Sequence, residues 1–416
     1  MSRRVHVIGA GLAGLSACVD LVRHGVPVVL SETAGQAGGR CRSYRDDLLG
    51  LTIDNGNHLV LSGNSAVERY VSNIGSREAL QGPEGAEFPF LDMVLGKRWT
   101  LRPNDGRWPW WILDPRRRVP GTRFREYLSL AALMQSHPGR RVDEVIGCNG
   151  VLWEKLLRPL LVSALNTAPE EAAADLAGAI IRETLAKGGR HTRPLLATPS
   201  LAAAFIDPAL DRLRRGGAEI RFGRSLRAVA TNESKVTHLV FDDGEVEVMA
   251  EDRVIVAVPP WTAQRLLPGI VAPDDFRAIV NAHFRKVPPS GAPAIVGVVG
   301  GTAEWVFAFP DRVSVTVSAA DHLVDLDVDA LSVLLWRDVS IALDLDETIP
   351  PFRILKEKRA TFAATPKQQA RRPGTRTAWS NLFLAGDWVN TGLPATIEGA
   401  LRSGEAAAAL ALGEAA

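Results

Sequence analysis

Six residues near the start combine types and spacing that suit a phosphate-rich ligand. Gly9-Ala10-Gly11-Leu12-Ala13-Gly14 follows the apolar run Val5-His6-Val7-Ile8. A glycine at position 9 permits a tight turn, one at 11 lets the backbone approach a pyrophosphate, and one at 14 lets the next helix pack on the strand. That helix, running through Leu15, Val19 and Leu21, aims free amides and the positive end of its dipole at an anion. A second strand, Val26 to Leu30, leads to Glu32, 18 residues beyond Gly14. An acid at that distance bonds ribose hydroxyls and repels a 2′-phosphate, which points to FAD or NAD rather than NADP. A glycine-rich turn without a ligand is the competing reading; strand, helix and acid in register weigh against it.

Further motifs separate FAD from NAD by resemblance. Gly38-Gly39-Arg40 resembles the Gly-Gly-Arg element of the amine oxidase and phytoene desaturase flavoprotein superfamily, in which the arginine lies near the pyrophosphate. Asp54-Asn55-Gly56-Asn57-His58 is similar to that superfamily's segment beside the flavin, and so implicates Asn57 and His58. The superfamily often has a further arginine four residues before Arg40, where this chain has Gln36. Asn381-Leu382-Phe383-Leu384-Ala385-Gly386-Asp387, followed by Thr396-Ile397-Glu398-Gly399-Ala400, resembles the C-terminal flavin-binding segment. The resemblance implies a ribityl contact at Asp387 after the Gly386 turn. It also implies a helix opened by Thr396 and Ile397, whose first amides face the flavin pyrimidine edge and stabilise the anionic reduced form. Val229 takes the place of an adenine contact.

Within the superfamily the chain most resembles the squalene-associated group, the hydroxysqualene dehydroxylases. Arg158-Pro159-Leu160-Leu161-Val162-Ser163-Ala164-Leu165-Asn166-Thr167 is the discriminating stretch. Gly386-Asp387-Trp388, Thr391-Gly392-Leu393-Pro394-Ala395-Thr396 and the overall length agree with it. The resemblance implies non-covalent FAD and a reductive reaction: an allylic triterpene alcohol loses its hydroxyl as water, and reduced FAD delivers hydride to give squalene. Hydroxide is a poor leaving group, so an acid must protonate it. His58 is the first candidate, as acid or as a structural histidine beside the flavin. Asn166 and Thr167 would orient the hydroxyl or cap a helix. Glu398 and Glu183 are further acids to weigh. Leu156, Leu157, Leu160, Leu161 and Leu165 would line a long apolar pocket or simply form helix core.

The elements that must position these residues imply an α/β fold, α+β overall. A Rossmann-like FAD domain is interleaved with a substrate domain, as in the amine oxidases and phytoene desaturases. The expected division is FAD domain at 1–79, substrate domain at 80–194, FAD domain at 195–260, substrate domain at 261–378 and FAD domain at 379–416. Helices are expected over Phe124–Met134, Trp153–Leu165 and Leu201–Arg215, with a helix start at Pro169-Glu170-Glu171. Strands are expected at Ala218–Phe222, Ser225–Ala230, Val236–Phe241, Val254–Val258, Ala294–Val299, Arg312–Val317 and Leu382–Ala385.

The 416 residues suffice for two domains with sizeable cores. With 48 basic and 47 acidic residues, the net charge of +1 implies no nucleic-acid partner. Cys18, Cys41 and Cys148 have neither disulfide nor metal spacing, and no metal site is expected. The start, Met1-Ser2-Arg3-Arg4, superficially resembles a secretion signal, but the dinucleotide turn explains the apolar residues after it. No uninterrupted apolar run of about 18 residues occurs, so a cytoplasmic chain is expected, with peripheral contact at the inner face of the cell membrane. Trp99, Trp108, Trp110 and Trp111, ahead of Arg116-Arg117-Arg118, would make that contact. A tryptophan-rich core strand beside a solvated basic loop would read the same way.

Three other activities fit the scaffold. A carotenoid or squalene desaturase would run it oxidatively. An amine oxidase needs an aromatic cage, for which Tyr44, Tyr70 and Tyr127 offer no source in the C-terminal segment. A prenyl-protein carrier similar to GDP-dissociation inhibitors would lack flavin. No second Gly-x-Gly-x-x-Gly unit appears, so electrons for FAD would come from transiently bound NAD(P)H or an external reductase.

Overall fold

The computed structural model describes residues 3–414; Met1, Ser2, Ala415 and Ala416 lie outside them. A parallel five-stranded sheet gathers strands from across the chain, in the order Glu219–Arg221, Val28–Ser31, Val5–Ile8, Arg253–Val256 and Leu382–Leu384. Its three central strands are buried except at Arg253, which is why they read as runs rich in Val, Ile and Leu. The first helix, Leu12–Arg23, lies against the last, Ile397–Leu412. Small residues bring the two close: Ser16 Oγ donates to the Leu401 carbonyl (3.0 Å), and a Cβ at Gly404 would stand 2.3 Å from the Ala13 carbonyl oxygen. The two ends of the chain therefore form one layer over one sheet.

A seven-stranded mixed sheet forms the second body. Its order is Phe352–Phe362, Phe276–Phe284, Val313–Val317, Trp305–Ala308, Ile295–Val299, Phe88–Asp92 and Lys97–Leu101. The helix Val328–Leu343 covers one face through Leu331, Leu335, Trp336 and Val339. Helical segments between residues 124 and 183 pack on the other face with Phe90, Trp99 and Trp305. Residues 80–194 and 261–378 thus contribute strands to one sheet, and the chain returns to the nucleotide sheet at 219, 253 and 382. A separate three-stranded sheet, Leu226–Thr231, Val236–Phe241 and Gly244–Glu247, carries Val229.

Several expected helices differ in kind. Phe124–Met134 divides into a 3-10 turn, Phe124–Tyr127, and a short helix, Leu128–Leu133. Trp153–Leu165 is continuous but opens with a π-helical stretch, Trp153–Leu157, as does Leu201–Arg215 at Ala202–Ile206. Pro169-Glu170-Glu171 is a turn and starts no helix; the next one runs Ala174–Glu183. The Glu171 amide bonds back to Ala168, and Ala173 binds the Ala364 carbonyl, so tertiary pairing holds this segment out of helix.

Candidate flavin site

The glycines of the first turn divide by what surrounds them. Gly9 has φ +105°, and a Cβ there would meet the Ala257 carbonyl oxygen at 2.4 Å. At Gly14 a Cβ would meet the Gly9 carbonyl oxygen. Both positions are therefore closed to other residues. Gly11 has φ −73°, and nothing lies within 4 Å of a Cβ built on it. Its openness comes without strain and leaves room for a ligand against the backbone. The helix that follows has no side-chain cap and no acid in its first turn, so its amides are left for an anion. Glu32 Oε2 accepts from the Ala10 amide (2.7 Å) and Oε1 from the Ala34 amide (2.8 Å). The acid expected to read a ribose is thus fixed at the turn itself. Ala13 is buried in the same helix.

The Gly-Gly-Arg element reaches this turn. Gly38 has φ +114°, donates its amide to the Ala10 carbonyl (2.8 Å), and leads to Gly39, whose Cβ position lies 3.5 Å from Gly11 Cα. Arg40 Nη2 then bonds Asp387 Oδ1 at 2.7 Å, and Nη1 bonds the Ala360 carbonyl. The surrounding protein desolvates the Arg40 charge, yet its side chain keeps 44 % of its surface open. It therefore faces an internal cleft, whose walls include Pro259, Trp261, Phe362, Asp387 and Trp388. A larger open hollow, lined by Arg98, Pro289 and Leu343 among others, lies away from these segments.

Arg372 organises the C-terminal side, and its role leaves no mark in the sequence. It is buried and donates to the carbonyls of Asp387 (3.1 Å), Trp388 (3.2 Å), Val389 (2.6 Å) and Leu393 (2.7 Å). Burial lowers its pKa to about 10, which still leaves it charged. Gly386 has φ +151°, and its hydrogen side faces the Trp388 indole, which donates to the Val258 carbonyl (2.9 Å). Thr396 caps the last helix by accepting from the Gly399 amide (3.0 Å), and Ile397 begins it.

The candidate proton donors separate sharply. His58 is half-buried, and desolvation followed by the Arg40 guanidinium lowers its pKa to about 4, against the pull of Asp387. At neutral pH its ring is uncharged. Glu398 is buried as a cap: its oxygens accept from the amides of Ala66 and Val67 and bind Arg402 Nε (2.7 Å). Glu183 holds Lys187 (2.7 Å) and Arg402 (3.1 Å), and its pKa lies below the usual value because of those cations, despite desolvation. Both expected acids thus serve structural contacts. Asn166 and Thr167 make structural contacts, in line with the capping alternative. Asn166, at φ +48°, donates to the Arg277 carbonyl and Thr361 Oγ1 and accepts from the Ala319 amide. Thr167 is fully buried, donates to the Leu165 carbonyl and accepts from the Ala364 amide. Leu156, Leu157, Leu161 and Leu165 are core, with Leu160 packed at its margin.

Sequence reasoning missed one carboxyl. Glu304 follows the turn after Ile295–Val299, and its Oε2 accepts from the Ser318 amide (2.7 Å). Desolvation raises its pKa to about 7, against the Ser318 hydrogen bonds and Arg158. Beside it, Trp305 Nε1 binds Ser163 Oγ (2.5 Å), joining the discriminating helix to the large sheet. Asn57 binds two other strands of that sheet: its Nδ2 donates to Thr316 Oγ1 and the Val315 carbonyl, its amide donates to Asn281 Oδ1, and its Oδ1 is buried without a partner. An orphan acceptor in the expected flavin-side segment and an open cradle at Gly11 fit a polar cofactor.

Residues 12–412 match the family described as flavin-containing amine oxidoreductase. Hydroxysqualene dehydroxylases from Sinorhizobium fredii and Rhodopseudomonas palustris are 50 % and 48 % identical, the first over 100 % of this chain and 99 % of its own length, the second over 99 % of each. The chain belongs to the hydroxysqualene dehydroxylase family of flavin-containing amine oxidoreductases. It is an FAD-dependent oxidoreductase by that membership. Cyclohexylamine oxidase from Brevibacterium oxydans shares the fold at a TM-score of 0.73 and 16 % identity, over 99 % of both chains. A putrescine oxidase does so at 0.72 and 16 %, over 100 % of both. The family places a flavin with this chain and lays aside the flavin-free carrier reading. Among the described residues no His, Cys, Asp and Glu cluster suits a metal. The three cysteines are unpaired; burial raises the thiol pKa of Cys41 to about 12 and of Cys148 to about 11.

Proposed function

We propose that this chain reductively removes the hydroxyl of a hydroxysqualene to give squalene. The observation that carries the reading is identity of 47–50 % over 98–100 % of the chain to relatives named for that reaction. Bound FAD, once reduced, supplies the hydride. The balance is simple: the C–O bond breaks, a proton and the hydroxyl leave as water, and a C–H bond forms with the two electrons of the hydride. Electrons reach FAD from NAD(P)H or a separate reductase.

The chain's own groups perform the remaining tasks. Gly11 and the helix behind it take the diphosphate, Glu32 the adenosine ribose, and Arg40 with Asp387 the middle of the cofactor. The first amides of the last helix hold negative charge at the pyrimidine edge. A proton must reach the leaving oxygen. His58, with a pKa of about 4, is in the wrong protonation state for that task. The substrate is a long apolar isoprenoid, and the cleft beside Arg40, walled by Trp261, Phe276, Phe362 and Trp388, offers it apolar contacts.

The test is an anaerobic incubation of dithionite-reduced holoprotein with 12-hydroxysqualene. Squalene is the expected product. Desaturation of squalene or phytoene by the oxidised protein, without dehydroxylation, would replace this reading with a desaturase. Tyr70 and Tyr127 supply no aromatic cage for an amine, because Tyr70 bonds the Phe205 carbonyl and Tyr127 the Val119 amide, both within the core.

A further inference from the structure

Four tryptophans cluster in the sequence, but the structure splits them. Trp99 and Trp111 are core, at 9 % and 2 % exposure, whereas Trp108 and Trp110 stand out at 86 % and 51 %. Other segments complete what the two buried rings do not provide. Leu113 is 61 % exposed, Phe124 44 % and Leu128 64 %. Trp111 packs edge-on against Tyr127 at 5.3 Å, and the Tyr127 hydroxyl accepts from the Val119 amide, so the turn Trp110–Leu113 is bound to Phe124–Tyr127. Val151, also exposed, lies 3.4 Å from the Cβ position of Gly121 in the same surface. Residues 107–128 carry Arg107, Arg116, Arg117, Arg118, Arg123 and Arg125 against only Asp114 and Glu126. In a chain of 48 basic and 47 acidic residues that is a local concentration of positive charge. Arg117 stacks over the Trp110 ring at 4.7 Å, and Arg125 lies over Phe124 at 5.8 Å, so cation and aromatic are paired across the patch.

We propose that this face, centred on Trp108, Trp110, Phe124 and Leu128, docks on an anionic phospholipid bilayer. Exposed indoles favour the headgroup boundary, leucine and phenylalanine enter the acyl margin, and the arginines meet lipid phosphates. No helix among the described residues is long and apolar enough to cross a membrane, so the contact is with one leaflet. The patch sits on the helical segments that pack over the large sheet.

Vesicle co-sedimentation tests the surface without any substrate. The holoprotein is mixed with vesicles of phosphatidylcholine alone, or with one third phosphatidylglycerol, at low and at 0.5 M salt. The expected result is pelleting with the anionic vesicles, at least tenfold weaker binding in Trp108→Ser/Trp110→Ser, and weakening by salt in the wild type. A second variant, Arg116→Gln/Arg117→Gln, should bind less at low salt only. Flavin absorbance must stay unchanged in both, since neither residue pair touches the flavin segments. Equal pelleting of wild type and both variants would overturn the proposal, as would no pelleting at all. Conversion of a dimer to a monomer by the tryptophan variant, with vesicle binding unaltered, would assign the face to a second copy and overturn it too. A protein that binds vesicles but makes no squalene would leave this surface standing and remove the proposed reaction.

Discussion

Arg372 is a buried cation whose main partners are carbonyl oxygens of a single loop, residues 387–393. Hydrogen bonds from a charged donor contribute about 1.5–3 kcal/mol each, and unmet buried acceptors cost about 1–3 kcal/mol. Arg372→Leu is therefore expected to lose several kcal/mol of stability and most of its flavin; Arg372→Lys, a point charge without the fork, should fall between. Thermal midpoints and the ratio of flavin to protein absorbance check both. Glu304 makes a pH-dependent prediction. Its carboxyl pKa is raised from 4.5 to about 7, so the folded state holds a proton that the unfolded chain releases. Stability from this group is full below pH 4.5 and declines as pH rises through 7, by up to about 3 kcal/mol. Glu304→Gln mimics the protonated form. It should match the wild type in unfolding at pH 4.5 and exceed it at pH 8, while retaining flavin. Equal stability at pH 8 would show an ordinary surface carboxylate. Glu398→Gln, by contrast, weakens a helix cap and the Arg402 pair, and is expected to lower stability by about 1–2 kcal/mol without moving the pH–rate profile.

At the scale of elements, the first turn separates two uses of glycine. Gly9→Ala forces a Cβ into the Ala257 carbonyl at φ +105°, and should yield unstable protein. Gly11→Ala meets no protein atom and has an ordinary φ, so it should fold with an unchanged thermal midpoint as apoprotein while binding FAD at least tenfold more weakly. Titration of apoprotein with FAD, followed by flavin fluorescence, measures this. Equal affinity would place the diphosphate elsewhere. These glycines were legible in the sequence because their constraint is local. So were the strands: Val236–Phe241 has its expected bounds, and Leu382–Leu384 differs by one residue. Alternation and buried apolar runs depend on neighbours in the chain. Arg372 and Glu304 were not legible, because their meaning comes from carbonyls and desolvation supplied by distant segments. Asn166 was legible as a cap, but its grip on Arg277, Ala319 and Thr361 was not. The tryptophans show the same limit, since composition gave a patch and only the fold decided which rings point inward.

Across the whole molecule, the nucleotide sheet takes a strand from each end of the chain and three from between. The first helix leans on the last. Arg40 and Asp387, 347 positions apart, meet there at 2.7 Å, and a flavin held there would bridge the same distant segments. Folding and cofactor binding are therefore coupled, and FAD should raise the thermal midpoint in a concentration-dependent way. The discriminating stretch Arg158–Thr167 belongs to the other body, clasped to the large sheet through Ser163–Trp305 and Asn166–Ala319. We propose that the site is where the flavin cradle meets this apolar lobe. Anaerobic stopped-flow tests that union most directly. Reduced holoprotein is mixed with 12-hydroxysqualene while the oxidised-flavin band is followed and squalene is counted. The account predicts reoxidation with one squalene per flavin; a flavin that stays reduced, or reoxidises without squalene, would contradict it.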